Sequence, residues 1–407
     1  MSMIIVRREL EDFLAPEGRR LLYGRRKTGK TFYIRYKLKD HTYFIVKRGG
    51  LIYDPENQAE YHFRTFIPLC RHLNKVVIDE FHRAPNELFY AIQAGECPES
   101  IVLVTSTLHY HRRFTEALDS PLKGMFLTKQ VKLISPLDLI RHPWGRIEPK
   151  LIERLIYYQE PVLINRKIRE ILLYSGDIAK SLIGEVLSEE DYEVTARYHY
   201  ILEAISMGKN RLTEIASYLY SRHLIPTQST SHITKYIDIM TSIGLIEKIP
   251  VWMRRRTIYR HLSPLTHTAY YLNAKYGIWD YPVAEDFILK AGKEVLPHLI
   301  EVFVEKLIST DCGLRPVKII DPEIDVALLR YKKLALIAEI KWKNKISKQE
   351  IEKASRKLTK FTTPLKLIIT KNEPRYTSTV PIVTLSSLIE MIKRKPRCLW
   401  IKELSQS

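Results

Sequence analysis

The segment at residues 24–31 constrains this chain more than any other, because it fits the pattern G-x-x-x-x-G-K-[ST] in full. A short apolar run precedes the segment, and a helix-compatible run at residues 32–38 follows it. Glycines let the backbone curl so that successive N–H groups point into one concavity and cradle phosphate oxygens. The N-terminus of the following helix adds partial positive charge. We therefore predict a P-loop made of Gly24, Arg25, Arg26, Lys27, Thr28, Gly29, Lys30 and Thr31.

The last two residues of this loop carry the chemistry. Lys30 is expected to reach the β- and γ-phosphates of a nucleoside triphosphate, and Thr31 to offer its hydroxyl oxygen to magnesium. The sequence thus predicts that the chain binds ATP together with Mg²⁺.

Polar residues at the ends of two further apolar runs support this interpretation. The run that begins at residue 76 ends in Asp79 and Glu80. Asp79 is placed to hold the hydration shell of the magnesium ion, and Glu80 to act as the base or to orient water for hydrolysis. Another apolar run ends in Thr105, Ser106 and Thr107, where Ser106 is expected to sense the γ-phosphate.

The charge balance indicates which partners to expect. The 407 residues include 65 Lys and Arg against 46 Asp and Glu, a formal charge of +19. Such an excess favours nucleic acid as a partner, so DNA is expected. No apolar run approaches the roughly 20 residues that span a bilayer, and the first residues do not resemble a signal peptide. We therefore expect a soluble, cytoplasmic protein with no membrane partner.

The cysteines give no motif. Cys70, Cys97, Cys312 and Cys398 are scattered, with no CxxC or CxxH spacing. Neither a disulfide framework nor a structural zinc site is expected from that spacing.

The pattern of apolar residues changes along the chain, and these changes predict a multidomain α/β protein. Residues 1–140 alternate short β-rich runs with longer mixed segments, which is typical of a parallel α/β sheet. Residues 141–190 have helical periodicity, residues 191–275 hold short amphipathic helices followed by a strand pair, and residues 280–407 return to mixed α/β.

The strand pair and its three preceding helices predict a winged helix-turn-helix. The third helix is expected to begin at a good N-cap sequence, residues 229–231, and to present Ser231, His232, Lys235 and Tyr236 to a DNA groove. The expected DNA contacts are Lys235 and the wing residues Arg254, Arg255 and Arg256. The alternative is a protein-docking module with a solvated basic loop.

A hairpin near the C-terminus carries a weaker set of polar residues. A turn at Lys332 and Lys333 would place Asp325 directly across from Glu339, with Cβ atoms about 5 Å apart. Lys341 shares a face with Glu339, because strand side chains alternate with period two. Glu301 lies on an upstream helix.

Facing carboxylates repel each other unless a cation lies between them. Asp325 and Glu339 are therefore candidate ligands of Mg²⁺, and Lys341 is a candidate for stabilising charge during phosphodiester cleavage. With Glu301, these form the candidate nuclease residues. The alternative is that the ExK pattern is only a solvated strand face.

Several of these motifs together resemble a known family. The runs RREL (residues 7–10), GRRKTGKT (24–31), VVIDEF (76–81) and SPLDLI (135–140) resemble those of the archaeal AAA-type ATPases of the STAND-like signalling branch. EIDV (323–326) and EIKW (339–342) resemble the domain that follows the winged helix in many members. The resemblance implies an ATPase with an AAA-type parallel sheet at 1–140, a helical lid at 141–190, a winged helix at 191–275 and a restriction-endonuclease-like α/β domain at 280–407.

One position departs from the pattern. Members of the family usually carry an arginine where this chain has Met125. If that arginine stabilises the transition state, hydrolysis here is expected to be slow, or to use Arg112, Arg113 or an arginine of a neighbouring subunit.

Two functions remain open at this stage. One is an ATP-controlled DNA-binding protein with a metal-dependent nuclease domain, supported by the complete set of four nuclease residues. The other is a STAND-like switch in which a degraded nuclease fold and the winged helix serve as docking modules for a second copy or a partner protein. Met125 favours the switch, because slow hydrolysis suits a protein that changes state with its nucleotide.

Overall fold

The computed structural model describes residues 4–106, 122, 124–189, 195–281, 283–373 and 375–401. The N-terminal unit contains α1 (Arg8–Leu14), β1 (Arg20–Tyr23), α2 (Lys30–Lys37), β2 (Thr42–Val46), β3 (Ile52–Asp54), β4 (Ala59–Tyr61), α3 (Phe63–Arg71), β5 (Lys75–Asp79), α4 (Asn86–Gln93), β6 (Ser100–Thr105) and β7 (Leu127–Gln130).

These strands form one sheet in the order β4-β3-β2-β5-β6-β1-β7. Strands β2, β5, β6, β1 and β7 are parallel, and β3 and β4 extend the sheet antiparallel. Both faces are covered: Leu21 packs in one hydrophobic core and its neighbour Leu22 in the other, as side chains alternate across a strand. The predicted parallel α/β sheet is confirmed, and it brings the ends of β1, β5 and β6 to one edge.

The next segment is helical, as predicted. It comprises α5 (Pro136–Arg141), α6 (Pro149–Tyr157), a single 3-10 turn (Pro161–Leu163), α7 (Ile168–Leu173) and α8 (Ser175–Glu189). Residues of α5, α6 and α7 share one large hydrophobic core with the C-terminal part of the chain, where Leu139 and Ile152 belong to the same cluster as Phe303. This segment therefore joins the nucleotide-binding end of the chain to its C-terminal end.

The third unit has three helices and a hairpin, followed by a further helix. Its elements are α9 (Ala196–Ser206), α10 (Leu212–Ser221), α11 (Ser231–Ser242), β8 (Ile246–Pro250), β9 (Thr257–His261) and α12 (Pro264–Tyr276). Strands β8 and β9 pair antiparallel. The element order is the one predicted for a winged helix, but Thr230 precedes α11 without a capping side-chain hydrogen bond.

The C-terminal unit is mixed α/β. It consists of α13 (Glu285–Cys312), β10 (Arg315–Ile320), β11 (Glu323–Arg330), β12 (Lys333–Lys341), α14 (Lys348–Thr359), β13 (Leu365–Thr370), β14 (Ile382–Thr384) and α15 (Leu385–Arg394). The sheet order is β10-β11-β12-β13-β14, antiparallel from β10 to β12 and parallel from β12 to β14. The turn between β11 and β12 lies at Tyr331 and Lys332, one residue earlier than expected, because the register shifts after Leu328.

The cysteine expectation was wrong. Cys70 pairs with Cys97, and Cys312 pairs with Cys398. The partners are 27 and 86 residues apart in sequence, so that only the tertiary fold brings them together and no spacing motif reveals them.

Helix length and polarity settle one further point. Among the described residues, no helix is both long and apolar enough to cross a membrane.

Candidate functional site

The phosphate loop connects β1 to α2 in a conformation that needs its glycines. A Cβ atom at Gly24 would lie 2.3 Å from the carbonyl oxygen of Val131, so a larger residue does not fit beside β7. Gly29 has a φ of +83°, which L-residues rarely adopt, and α2 begins at the next residue. The loop therefore ends at a helix N-terminus, which favours a bound anion.

Two side chains at the start of α2 occupy the positions expected for nucleotide binding. Nζ of Lys30 donates hydrogen bonds to the carbonyl oxygens of Gly24 (2.6 Å) and Arg25 (3.0 Å), across the loop itself. Oγ1 of Thr31 donates to Oδ2 of Asp79 at 2.6 Å. The structure thus brings together the loop and the carboxylate that the sequence separates by 48 residues.

Asp79 is held by three donors. Besides Thr31, the hydroxyl of Tyr43 donates to Oδ2 at 2.6 Å, and the backbone N–H of Glu80 donates to Oδ1 at 2.8 Å. Burial and the Asp79 carboxylate raise the pKa of Tyr43, which stays a neutral donor. Sequence reasoning missed Tyr43; its signal is its position on β2, the strand paired with β5.

This arrangement fits a magnesium ion. A hydroxyl and a carboxylate oxygen lie together beside a phosphate loop, and hard oxygen donors of this kind are the ones that Mg²⁺ prefers. Thr31 and Asp79 are the residues that would hold the ion, whose chemistry is to neutralise charge on the phosphates.

The remaining predicted residues of this site lie at the neighbouring strand ends. Glu80 has a left-handed backbone (φ +54°), and its carboxylate lies 3.2 Å from the guanidinium of Arg83. Ser106, at the end of β6, is 1% exposed, and its Oγ has no hydrogen-bond partner among the described residues. Its position at the end of β6, next to the strand that ends in Asp79, is the one predicted for a residue that senses the γ-phosphate.

Met125 occupies the position where the resemblance leads one to expect an arginine. Met125 is half-buried and packs against the core of the sheet rather than standing free at the site. Arg112, Arg113 and Thr107 lie outside the described residues.

Charged residues of the loop are paired with the helical segment. Nη2 of Arg25 donates to both carboxylate oxygens of Glu160, at 2.8 and 2.7 Å, and both side chains are almost fully buried. Lys27 and Arg26 pair with Glu185 on α8, at 2.6 and 3.2 Å. The three charged residues of the loop therefore each form an ion pair with a residue outside the sheet domain.

A residue near the N-terminus braces the same loop. The guanidinium of Arg7 donates to the carbonyl oxygens of Thr28 (2.9 Å) and Lys132 (2.6 Å). Burial lowers the pKa of Arg7. Arg7 is the first residue of the RREL run, and nothing in its sequence context indicates this role.

The C-terminal hairpin brings the predicted carboxylates together. The β11–β12 register pairs Val326 with Ala338, so Asp325 and Glu339 face each other one step beyond. Oδ2 of Asp325 accepts a hydrogen bond from the backbone N–H of Ile340 at 2.7 Å. Burial first, and then the charges of Glu301 and Glu339, raise the pKa of Asp325 to about 6.

Lysines, however, hold the position that was expected for a metal. Nζ of Lys341 lies 3.0 Å from one oxygen of Glu339 and 4.0 Å from Asp325. Nζ of Lys357, on α14, lies 2.5 Å from the other oxygen of Glu339. Among the described residues, no group of three or more His, Cys, Asp and Glu side chains is arranged to hold a metal ion.

Two ammonium groups therefore relieve the repulsion between the carboxylates in this arrangement, and the metal site stays a prediction. The sequence did not reveal the contact of Lys357, because this residue is 18 positions beyond Glu339 and reaches it only when α14 packs on the sheet.

Asp325 also faces the unit that contains three helices and the β8–β9 hairpin. With Glu301 it lines a cavity of about 340 Å³ whose opposite wall includes Ile249 and Arg260. Nδ1 of His298 lies 3.8 Å from Glu301. The carboxylate face of the hairpin thus opens toward the unit that precedes it in the chain.

A buried ion cluster forms the border of this cavity. Arg260 on β9 contacts Glu247 on β8 at 2.8 Å and Glu305 on α13 at 2.6 Å, and Lys306 contacts Glu247 at 3.1 Å. Burial alone would raise the pKa of Glu247, but the charges and hydrogen bonds of Arg260 and Lys306 lower this pKa to about 2. These pairs hold the strand pair against α13.

The predicted DNA-contacting residues are only partly available. Lys235 on α11 is exposed, and so are Arg254, Arg255 and Arg256 at the turn between β8 and β9. Tyr236 is half-buried, and its hydroxyl accepts a hydrogen bond from Arg197 at 2.8 Å. Tyr236 therefore supports the packing of α11 and is not presented to a groove as expected.

Known proteins that resemble this chain are found among solved structures. No family model matches this sequence, and no curated protein matches it. Among solved structures, a Walker-type ATPase of Pyrococcus abyssi is 18% identical, with a TM-score of 0.45 over 65% of this chain and 93% of that one. The ORC2 protein of Aeropyrum pernix, in ADPNP–ADP complexes, is 14% identical, with a TM-score of 0.37 over 71% and 90% of the chains. A STAND protein with a tetratricopeptide repeat sensor from Pyrococcus horikoshii is 15% identical, with a TM-score of 0.29 over 76% and 52%.

At these identities and TM-scores the matched proteins do not assign an activity to this chain. Its own residues do form the site that the sequence predicts, a phosphate loop with the carboxylate of Asp79 hydrogen-bonded to Thr31 beside it. The winged-helix and restriction-endonuclease-like assignments, and the domain boundaries, stay predictions.

Proposed function

We propose that this chain binds and hydrolyses ATP with magnesium at the P-loop, and that the bound nucleotide controls how the loop is held by the helical segment. The observation that carries the proposal is the hydrogen bond between Thr31 and Asp79, because it sets the two magnesium-binding oxygens beside the loop. Ser106 supplies a buried hydroxyl at the neighbouring strand end.

Each residue has a task in hydrolysis. Lys30 exchanges the loop carbonyls for phosphate oxygens and neutralises their charge. Once the Glu80 carboxylate separates from Arg83, it orients the attacking water or accepts a proton from that water. Bound magnesium supplies neutralisation of the phosphate charge, while Thr31 and Asp79 provide its protein ligands.

Control of the helical segment follows from the ion pairs of the loop. Arg25, Arg26 and Lys27 are paired with Glu160 and Glu185, and a triphosphate beside them competes for the same cations. Nucleotide state would therefore change the contact between the sheet domain and α8.

Nucleotide titration tests the binding step. ATP affinity is measured by calorimetry for the wild type, Lys30→Ala and the matched control Lys39→Ala, an exposed lysine just beyond α2. Loss of a charge-assisted contact predicts about 10- to 100-fold weaker binding for Lys30→Ala and no change for the control. Equal affinity in all three proteins would exclude the P-loop as the ATP site.

DNA binding is the second part of the proposal. It is supported by the formal charge of +19 and by the exposure of Lys235 and of Arg254, Arg255 and Arg256. Duplex binding measured over a range of salt concentrations should weaken in the variant with all three wing arginines changed to alanine. No affinity for DNA at modest salt would remove this part of the account and leave the wing as a docking surface for a protein or a second copy.

Phosphodiester cleavage is a second candidate function. It is favoured by Asp325 facing Glu339 with Lys341 beside both. The test is cleavage of linear, nicked and branched DNA in Mg²⁺ or Mn²⁺, with and without ATP, by the wild type and Glu339→Ala. Cutting that disappears in the variant supports a nuclease, and binding without cutting supports the nucleotide switch with a docking domain.

A further inference from the structure

A groove of about 940 Å³ lies at the other end of the C-terminal hairpin. The wing contributes Trp252 and Met253, the hairpin turn contributes Tyr331, and the floor is largely apolar, with Leu334 and Leu365 among its residues. The backbone N–H of Trp252 donates to the carbonyl oxygen of Lys318 at 2.9 Å, which fixes the wing there. The groove is thus built jointly by two units of the chain.

Two large side chains at the rim are left in solvent. Tyr331 is 92% exposed and Met253 is 83% exposed. Tyr331 occupies the left-handed region (φ +57°) in the two-residue turn between β11 and β12. An aromatic ring presented at the tip of a tight turn, beside an apolar floor, is available to stack on a flat partner.

The charge around the groove is of one sign. The lining residues include Arg330, Lys332 and Lys333 and no Asp or Glu. Arg254, Arg255 and Arg256 directly follow Met253 and are exposed. Within the described part of the chain none of these six cations forms an ion pair, whereas Lys318, whose backbone contacts Trp252, pairs with Glu323. Uncompensated cations gathered at one rim indicate an anionic partner.

We propose that this groove binds an unpaired strand of nucleic acid, with a base stacked on Tyr331 and the six cations contacting phosphates. Exposed aromatics in a cationic groove are the arrangement that binds single strands without sequence preference. A duplex hides its bases, so the apolar floor has no use in duplex binding. Arg330 lies about 16 Å along β11 from Asp325, at roughly 3.3 Å per residue, so this site is separate from the carboxylates.

The groove shares Arg254, Arg255 and Arg256 with the duplex contact proposed above, whereas Tyr331 belongs to the groove alone and Lys235 to the duplex contact alone. One experiment therefore separates the two sites. Fluorescence anisotropy measures binding of labelled oligothymidine, oligouridine and duplex DNA at two salt concentrations. The variants are Tyr331→Ala, the triple change Arg330→Glu, Lys332→Glu and Lys333→Glu, and Lys235→Glu. Matched controls are Tyr90→Ala, an exposed tyrosine on α4, and the triple change Arg48→Glu, Arg64→Glu and Lys150→Glu, which alters net charge equally.

Tyr331→Ala is expected to weaken single-strand binding about tenfold or more, the usual effect of losing one stacking contact. The groove triple variant is expected to weaken it further and to flatten its salt dependence, whereas its charge-matched control changes affinity less than about threefold. Lys235→Glu should affect only the duplex. Comparison of the two oligonucleotides shows whether the groove accepts DNA, RNA or both.

Two results would overturn the proposal. One is single-strand binding that falls equally in the groove triple variant and its charge-matched control, which would assign binding to net charge alone. The other is unchanged oligonucleotide binding in Tyr331→Ala together with tight, groove-dependent binding of a labelled acidic amphipathic peptide. Thermal denaturation of every variant confirms that the surface changes leave the fold intact.

Discussion

Nη2 of Arg25, inside the phosphate loop, donates to both carboxylate oxygens of Glu160, which belongs to the helical segment 135 residues later. The side chains are 3% and 0% exposed. A Cβ atom at Gly29 would lie 3.5 Å from Pro161, so the loop backbone touches the same turn. The site that receives phosphate is therefore in direct contact with the segment proposed to respond to it.

Removing one partner of this pair should be costly. Glu160→Ala leaves the Arg25 guanidinium buried without its counter-charge, which typically destabilises by about 3–5 kcal/mol. The double variant Arg25→Leu and Glu160→Leu removes both charges and is expected to recover most of that loss. Denaturation midpoints without nucleotide provide the measurement, and a double variant as unstable as Glu160→Ala would show that the pair is not responsible.

Ser106 separates a role in function from a role in stability. Its buried Oγ forms no hydrogen bond among the described residues, so Ser106→Ala should change the free energy of unfolding by less than about 0.5 kcal/mol. If the hydroxyl contacts the γ-phosphate, the rate of ATP hydrolysis should fall by about tenfold or more. Ser100→Ala, at the start of the same strand, is the control and should keep its rate. Full activity in Ser106→Ala would contradict the proposed contact.

Lys357 should govern access of a divalent cation to Glu339. Its ammonium lies 2.5 Å from one carboxylate oxygen, where a metal ion would otherwise bind. Lys357→Ala is therefore expected to bind Mn²⁺ at least about tenfold more tightly than the wild type, because a competing charge is removed. Lys353→Ala serves as the control, because Lys353 lines the same pocket as Glu339 and Lys357. Calorimetry with Mn²⁺ measures both, and identical affinities would show that Asp325 and Glu339 are not a latent metal site.

Acid should weaken the fold through two buried histidines. Burial lowers the pKa of His261 from 6.5 to about 4, and burial with the charges of His298 and His261 lowers the pKa of His267. Between these values and 6.5 the unfolded chain binds more protons than the folded one, so stability is complete above pH 6.5 and falls as pH decreases toward 4.

The measurement is the thermal midpoint across that pH range for the wild type and for His267→Leu. The variant lacks one of the two groups and should show a shallower loss, by up to about 1.4 kcal/mol per pH unit for one proton. Equal slopes would show that His267 does not remain neutral in the folded chain.

The sequence predicts best what is local. The P-loop, the carboxylate of Asp79 and the pairing of Asp325 with Glu339 follow from short spacings and strand alternation, and the structure contains each of them. The contacts that sequence reasoning missed join distant segments: Tyr43 with Asp79, and Lys357 with Glu339. Such pairs depend on how strands and helices pack, and no spacing rule contains that information.

The position of a charge shows the same limit. The sequence predicts Arg25 as a P-loop residue but gives no sign that Glu160 is its partner, and only burial in a shared interface makes them a pair. The prediction about the cysteines was wrong for the same reason, because 86 residues separate Cys312 from Cys398 and only the fold brings them together.

The rate of phosphate release from ATP by the wild type and by Glu80→Gln, with ATP binding measured on the same samples, tests the central claim most directly. The substitution keeps the size of the side chain and removes its basicity, so the account predicts unchanged ATP binding and hydrolysis reduced by about 100-fold or more. Hydrolysis that persists at the wild-type rate in Glu80→Gln, or an absence of Mg²⁺-dependent ATP binding in the wild type, would contradict it.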